Sequence, residues 1–273
     1  MAKTADVESI VSTIKQSKKY RDTHEETIRE LVIVALTKYK SPKQATRSVR
    51  KQLHSIMAPY LGDPDYETVS AELADAFAAS NKEQIEKTCR DALYSHLSTR
   101  ERLPIMEDFY RQIFQVTGTP TRILDIACGL NPLAFPWMGL PDKTEYFAYD
   151  IHEPRIRFIN QYFRLQGLPQ FARVQDVALQ FPQEPVDVAL FLKELPRFER
   201  NYPGTSRDLL KALRANFLVV SFPTISTHSG RNLTKRYREF FEKVIDGLNW
   251  PTSEWLFAGE MVFIAEKSNL NRM

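Results

Sequence analysis

The chain has 273 residues, 43% of them apolar, enough for a sizeable core and for more than one compact unit. Its two cysteines, Cys89 and Cys128, offer neither a disulfide framework nor zinc-ligand spacing, and no metal is expected. No apolar run is long enough to cross a bilayer and the opening MAKTADVESI is not a secretory leader, so a soluble, cytoplasmic protein is expected; a net charge of +3 says little about partners.

The placement of that charge says more. Residues 1–54 hold twelve Lys/Arg against six Asp/Glu, concentrated in KQSKKYR (15–21) and KYKSPKQATRSVRK (38–51), and a second basic patch is RNLTKRYR (231–238). Tyrosines interleave with both. The pattern points to a phosphate-backbone partner, with Lys18, Lys19, Arg21 and Lys51 as contacts in the first patch and Arg231, Lys235 and Arg236 in the second.

Residues 1–118 read as helices throughout. Ile28, Leu31, Val32 and Ala35 form one apolar stripe at three- and four-residue spacing. Ser41-Pro42-Lys43-Gln44 is a helix start, with Ser at the N-cap and Pro at the first helical position. Gly62-Asp63-Pro64 breaks the pattern, and helices resume near Glu67 and Lys82. An all-helical N-terminal domain is expected over 1–118, with the rest of the chain, 119–273, as a second domain.

From Thr121 onward short β-rich runs alternate with helical stretches: 122–127, 145–150, 171–176, 187–192 and 216–222. Such alternation predicts an α/β fold, a parallel sheet built from right-handed βαβ units. The last segment, WLFAGEMVFIAEK (255–267), reads as a hairpin around Ala258-Gly259. A doubly wound, Rossmann-like sheet closed by an antiparallel hairpin is the arrangement of class I S-adenosylmethionine (SAM) methyltransferases.

DIACGLNPLA (125–134) follows the first strand where a nucleotide-binding loop would lie, yet of the glycine pattern only Gly129 survives. Three acidic residues stand in or just beyond successive strands: Asp125, Asp150 and Asp176. Asp150 lies 25 residues beyond Asp125, suited to accept both ribose hydroxyls, and Asp176 is suited to an adenine amino group. The competing reading is that these aspartates cap the helices that follow. Ala127 and Gly129 let the backbone approach a ligand, and Asn131 is expected to take a left-handed conformation in place of a third glycine. The missing glycines disfavour a pyrophosphate, which needs close access to a helix N-terminus. A sulfonium cofactor does not need it, and SAM is the expected cofactor.

ACGLNPLAFPWMGLP (127–141) and HLSTRERLPIMEDFYRQIF (96–114), with SKKYR (17–21), KSPKQ (40–44), LKELP (192–196) and SFPT (221–224), resemble the aminoglycoside-resistance 16S rRNA (guanine(1405)-N7)-methyltransferases of the FmrO type, over nearly the full chain. The resemblance implies that His96, Leu97, Ser98 and Arg102 line the cofactor pocket from the helical side, with Arg102 pairing the methionine carboxylate. Ser98-Thr99-Arg100-Glu101 also reads as a capping box. It further implies that Ala127, Asp150, Asp176, Val177 and Leu192 contact the cofactor in the sheet domain. Tyr60 falls where relatives carry an aromatic residue, and Asn201 where they can carry Gln. Lys193 matches a lysine important for activity, and is the catalytic candidate. The implied partner is 16S rRNA in the assembled 30S subunit, met by a monomeric enzyme.

The residues after the fourth strand agree with N7 as the target. LKELP lacks the Asn/Asp-Pro-Pro-aromatic clamp used on exocyclic amines. Guanine N7 already carries a lone pair and needs no general base, so in-line positioning supplies the catalysis. Glu194 or Glu260 is a candidate for balancing the product's positive charge, and Trp137 for stacking on a base. Two other classes stay open at this point: a SAM-dependent methyltransferase acting on another rRNA nucleotide or on a small molecule, and a noncatalytic RNA-binding protein on the same scaffold.

Overall fold

A computed structural model of the chain describes residues 4–57, 62–226 and 229–267. Three helices come first: α1 (Thr4–Lys15), α2 (Glu25–Lys38) and α3 (Pro42–Met57). Each buries one stripe at helical spacing: Val7, Ile10, Val11, Ile14; then Ile28, Leu31, Val32, Ala35; then Ala45, Val49, Leu53, Met57. Together with Tyr20 these stripes make a core of their own. Pro42 opens α3 as expected, and the Ser41 carbonyl accepts the Ala45 N–H at 3.0 Å.

The next helices are α4 (Tyr66–Ala78), α5 (Lys82–Ser95), α6 (Leu97–Arg102) and α7 (Met106–Thr117). Asp65 caps α4 through the Glu67 and Thr68 N–H groups, and Asn81 caps α5 through that of Gln84. Ser98 does not cap α6: the N-cap position is His96, and no side chain caps there. Thr99 instead turns its hydroxyl back onto the Leu93 carbonyl.

The sheet holds β1 (Arg122–Ile126), β2 (Glu145–Asp150), β3 (Ala172–Val174), β4 (Val186–Leu192), β5 (Ala215–Pro223), β6 (Thr252–Phe257) and β7 (Glu260–Glu266), in the order β3-β2-β1-β4-β5-β7-β6. The first five strands run parallel and β7 lies antiparallel between β5 and β6. Alternation of side chains sorts the strands onto two faces. Ile123, Tyr146, Val188 and Val219 face a core that also holds Leu73, Leu93, Phe109, Ile113 and Phe163, from α4, α5, α7 and α8 (Glu153–Leu165). Leu124, Phe147, Phe191 and Phe222 face one built with α9 (Leu195–Asn201), α10 (Thr205–Ala212) and α11 (Thr234–Ile245).

The change of texture near residue 118 is therefore not where the core divides. Helices α4, α5 and α7 share their apolar core with the sheet, and among the described helices α1 to α3 pack on a core of their own. No described helix is long and apolar enough to cross a membrane.

Candidate functional site

The loop after β1 turns through two left-handed residues, Ala127 (φ 52°) and Gly129 (φ 54°). Alanine in that region is strained, a cost found where surrounding structure over-determines the backbone. Here the Cys128 N–H is held by the Tyr149 carbonyl, and the Gly129 N–H points at Asp150 Oδ2, 3.1 Å away. Asn131 does not take the left-handed role. It opens a short 3-10 turn (Asn131–Trp137) and is buried, because its amide is a relay. Its nitrogen donates to Asp125 Oδ2 at 2.8 Å, while its oxygen accepts from Arg102 and Tyr110 at 3.0 and 2.7 Å. Burial pushes the Asp125 carboxyl up to about 7, against the bonds from Asn131 and Tyr146.

Two concavities flank this loop, and Ala127 lines both. The larger is walled by Asp150, Asp176, Val177, Phe191, Asn201 and Tyr202, with Ile56 and Met57 reaching in from α3. The smaller is walled by Ser98, Arg102, Asp125, Gly129, Asn131 and Leu192. Most predicted cofactor residues thus fall around one loop. A long molecule with a nucleoside at one end and an amino acid at the other suits the pair: Asp150 and Asp176 stand in the larger concavity, beside Arg155 and Arg197, and Arg102 in the smaller, beside Asp125. The apolar wall suits a base, and the donor set fits SAM.

His96 and Leu97 belong to neither wall. His96 is fully buried with Nε2 against Asp63 Oδ1, so its ring serves the network behind the pocket. Tyr60 lies outside the described residues. Trp137 lies under the Arg90 guanidinium, 5.0 Å from its ring centre, beside Glu107 and Arg111, and lines neither concavity, so stacking on a base at that mouth is not its place.

Each strand-end carboxylate has its own support. Arg155, in the first turn of α8, is 2% exposed; its Nη1 donates to both Asp150 oxygens at 3.0 Å and its Nη2 to both Asp63 oxygens at 2.9 and 3.1 Å. Burial works against the Arg155 charge, but Asp150 and Asp63 outweigh it and hold its pKa above the ordinary value. Burial alone would raise Asp63; His96 and Arg155 prevail and hold its carboxyl well below the usual range. Asp176 instead accepts from hydroxyls: Thr27 at 2.8 Å and Tyr202 at 3.1 Å, both on Oδ2, with the Ala178 N–H on Oδ1 at 2.9 Å.

Lys193 is not a solvated charge. It sits at φ 63° with its N–H on Ser221, and its ammonium lies 2.9 Å from Glu101 and 3.2 Å from Glu260. Glu260, 1% exposed, also takes two bonds from Arg102, at 2.7 and 3.2 Å, and one from Ser221 at 2.6 Å. Burial opposes its charge, yet Arg102 and Lys193 hold its carboxyl below the ordinary value. Enclosed in this way, Glu260 fixes cations rather than facing a substrate, whereas Glu194 does line the larger concavity. Burial raises the Cys128 thiol well above its usual range, which disfavours a thiolate nucleophile.

The basic residues are exposed: Lys18, Lys19, Arg21 and Lys51 in the first patch, Arg231, Lys235 and Arg236 in the second. Lys19 Nζ lies 2.7 Å from His54 Nδ1, which brings the turn after α1 beside α3 on one face.

Sequence reasoning missed Arg155, Asp63, Thr27 and Tyr202. One signal was available for Arg155: a cation in the first turn of a helix opposes the macrodipole, so a nearby carboxylate partner is implied.

Residues 16–264 match the family model described as ribosomal RNA methyltransferase (FmrO). The chain is 33% identical over 266 residues to a 16S rRNA (guanine(1405)-N(7))-methyltransferase of Frankia casuarinae, covering 96% of this chain and 94% of the relative. It is 34% identical to the Serratia marcescens protein of the same name, covering 87% of this chain and 89% of that one. Among solved structures, the 16S rRNA methyltransferase RmtF in complex with S-adenosyl-L-homocysteine superposes with a TM-score of 0.84 at 29% identity, covering 98% of this chain and 100% of that chain.

Proposed function

The chain belongs to the FmrO family of ribosomal RNA methyltransferases, and on that premise we propose that it methylates N7 of guanine 1405 in 16S rRNA with SAM as donor, giving resistance to aminoglycosides of the gentamicin and kanamycin type. The observation that carries the reading is the placing of Asp150 and Asp176 in one wall beside the left-handed Ala127–Gly129 loop, in a chain whose relatives carry that activity in their names.

In this reading Asp150 receives the ribose hydroxyls, which share or displace the donors its oxygens now take from Arg155 and from the Gly129 and His152 N–H groups; Asp176 receives the adenine amino group, and Arg102 the methionine carboxylate through N–H groups not taken by Glu260 and Asn131. Leu192 and Val177 supply apolar contact. SAM, when bound, supplies an electrophilic methyl group on a sulfonium. The chain's own work is to hold guanine N7 in line and to exclude water. Lys193, pinned between Glu101 and Glu260, acts beside the target base, and Glu194 faces the positive charge the base acquires. Lys18, Lys19, Arg21 and Lys51 dock the phosphates of the assembled 30S subunit, as do Arg231, Lys235 and Arg236. The enzyme acts as a monomer in the cytoplasm, with residues 1–118 as a helical rRNA-binding domain that docks chiefly through α1 to α3, and residues 119–273 as the methyltransferase domain.

The test is methyl transfer from tritiated SAM to purified 30S subunits, followed by borohydride and aniline cleavage read by primer extension. A single stop at guanine 1405 is expected, together with protection of a susceptible bacterium against gentamicin and kanamycin but not streptomycin. A stop at another nucleotide, or label without aniline sensitivity, overturns the reading.

A further inference from the structure

Asp176 lies at the larger concavity, far in sequence from the bundle of α1 to α3, yet one of its partners comes from that bundle. Thr27, on α2, is 0% exposed and its hydroxyl donates to Asp176 Oδ2 at 2.8 Å. Tyr202, just after α9, donates to the same oxygen at 3.1 Å. A carboxylate oxygen accepts about two hydrogen bonds in its plane, so Oδ2 is filled. Oδ1 accepts one described bond, from the Ala178 N–H at 2.9 Å, and keeps acceptor capacity. The bundle is seated here by more than this bond. The His24 N–H donates to the Ile151 carbonyl at 2.7 Å, the Glu153 N–H to the Asp22 carbonyl at 3.0 Å, and Ile56 and Met57 line the same concavity.

We propose that Thr27 and Tyr202 are positioning residues: their two hydroxyls lock Oδ2 of Asp176 so that Oδ1 is presented as a fixed acceptor for the adenine amino group. The N-terminal bundle is then part of the cofactor site as well as a docking surface. Burial holds the Tyr202 phenol above its ordinary pKa, which keeps it a donor throughout the physiological range. This role presupposes that Asp176 receives the adenine amino group.

The experiment measures binding of S-adenosylhomocysteine and of S-inosylhomocysteine, in which a carbonyl oxygen replaces the amino group, by calorimetry on the full chain. Wild type is expected to prefer the adenine compound, and Asp176→Asn to lose most of that preference. Thr27→Val, which keeps the volume and removes the hydroxyl, is expected to weaken the adenine compound about fivefold, the scale of one hydrogen bond, and to narrow the preference; Thr27→Ser is expected to restore both. Tyr202→Phe is expected to act like Thr27→Val and decides the matter should the valine variant not fold. A folded Thr27→Val or Tyr202→Phe protein with wild-type affinity and preference overturns the positioning role alone. If Asp176→Asn itself keeps the adenine preference, the adenine assignment falls and the positioning role with it.

Discussion

Two helical regions precede the sheet, alike in texture and different in how they serve the site. Helices α1 to α3 close a core of their own and meet the larger concavity and its surroundings mostly through neutral groups, the Thr27 hydroxyl, backbone pairs at Asp22 and His24, and the side chains of Ile56 and Met57, with charge entering through Arg197 on the Ile56 carbonyl at 3.3 Å and Lys15 near Glu153 at 3.8 Å. Helices α4, α5 and α7 share the core of the sheet, and this region, with α6 and the loop before α4, reaches the site through charge: Asp63 on Arg155, Glu101 on Lys193, Arg102 on Glu260. Buried ion pairs tolerate little displacement, because a lost partner leaves an unpaired charge. Neutral hydrogen bonds to an edge can be broken and remade at lower cost. The first region thus folds on a core of its own and joins the site mainly by hydrogen bonds and apolar contact, and the second joins it by ion pairs.

Core truncations give the sharpest break between them. Phe109→Ala, at 0% exposure on α7, is expected to cost about 3–5 kcal/mol and to lower the hydrogen-exchange protection of the sheet strands. Leu53→Ala, equally buried on α3, is expected to cost about 2–5 kcal/mol, but to release the amides of α1 to α3 while β1, β4 and β5 stay protected. Loss of protection over the whole chain in both variants would erase the distinction. Charge reversal comes next. Replacing Lys18, Lys19, Arg21 and Lys51 with Glu is expected to weaken 30S binding by about a hundredfold, and to flatten its logarithmic salt dependence by about three to four units through lost counterion release. Filter binding across a salt series reads both, and SAM affinity is expected to hold. Wild-type 30S binding by the quadruple variant would move docking away from the bundle.

Much of this organisation was legible in the sequence. The β-rich runs at 122–127, 145–150 and 187–192 became β1, β2 and β4 because alternating apolar residues have only two sheet faces to fill. Asp150 and Asp176 were readable as strand-end groups for the same reason. Which core a helix joins was not readable, since Leu53 and Phe109 both sit on ordinary amphipathic stripes. The supports of the site were hidden by distance along the chain: Thr27 and Asp176 are 149 residues apart, and Arg102 and Glu260 are 158. His96 was misplaced because its motif gives the neighbourhood of the pocket but not the direction of the ring. Asn131 was misread because Ala127 and Gly129 already supply the left-handed turns.

Asp150 stands where the second region's charge reaches the wall of the larger concavity. Asp150→Ala is expected to weaken SAM by about 1–3 kcal/mol through the lost ribose bonds, measured by calorimetry. It also removes one partner of Arg155, so the melting temperature is expected to fall, with Asp63 still holding the guanidinium. Unchanged SAM affinity in the folded variant would sink the ribose assignment.

The smallest effect on binding is expected at Lys193, where the second region meets β7 through Glu101 and Glu260. Its ammonium pairs with Glu101, which is 36% exposed, and with Glu260, which is enclosed. In Lys193→Met the apolar stem remains. Glu101 turns to water at little cost, and Glu260 keeps both bonds from Arg102 and the one from Ser221. Stability is therefore expected to fall by about 1 kcal/mol or less, nearer the value of a partly exposed pair than of a broken buried one. SAM affinity and 30S binding are expected to stay within about twofold of wild type, since an interaction worth under 0.5 kcal/mol shifts an equilibrium no further. Methyl transfer is expected to drop by at least tenfold if the ammonium acts at the target base, because a contact made only as the base is engaged lowers turnover without touching ground-state binding. The same protein preparation, taken through thermal melting, calorimetry and tritiated-methyl transfer, separates these readouts. Transfer at the wild-type rate would make Lys193 a strut between α6 and β7 and leave positioning by the surrounding walls as the source of catalysis.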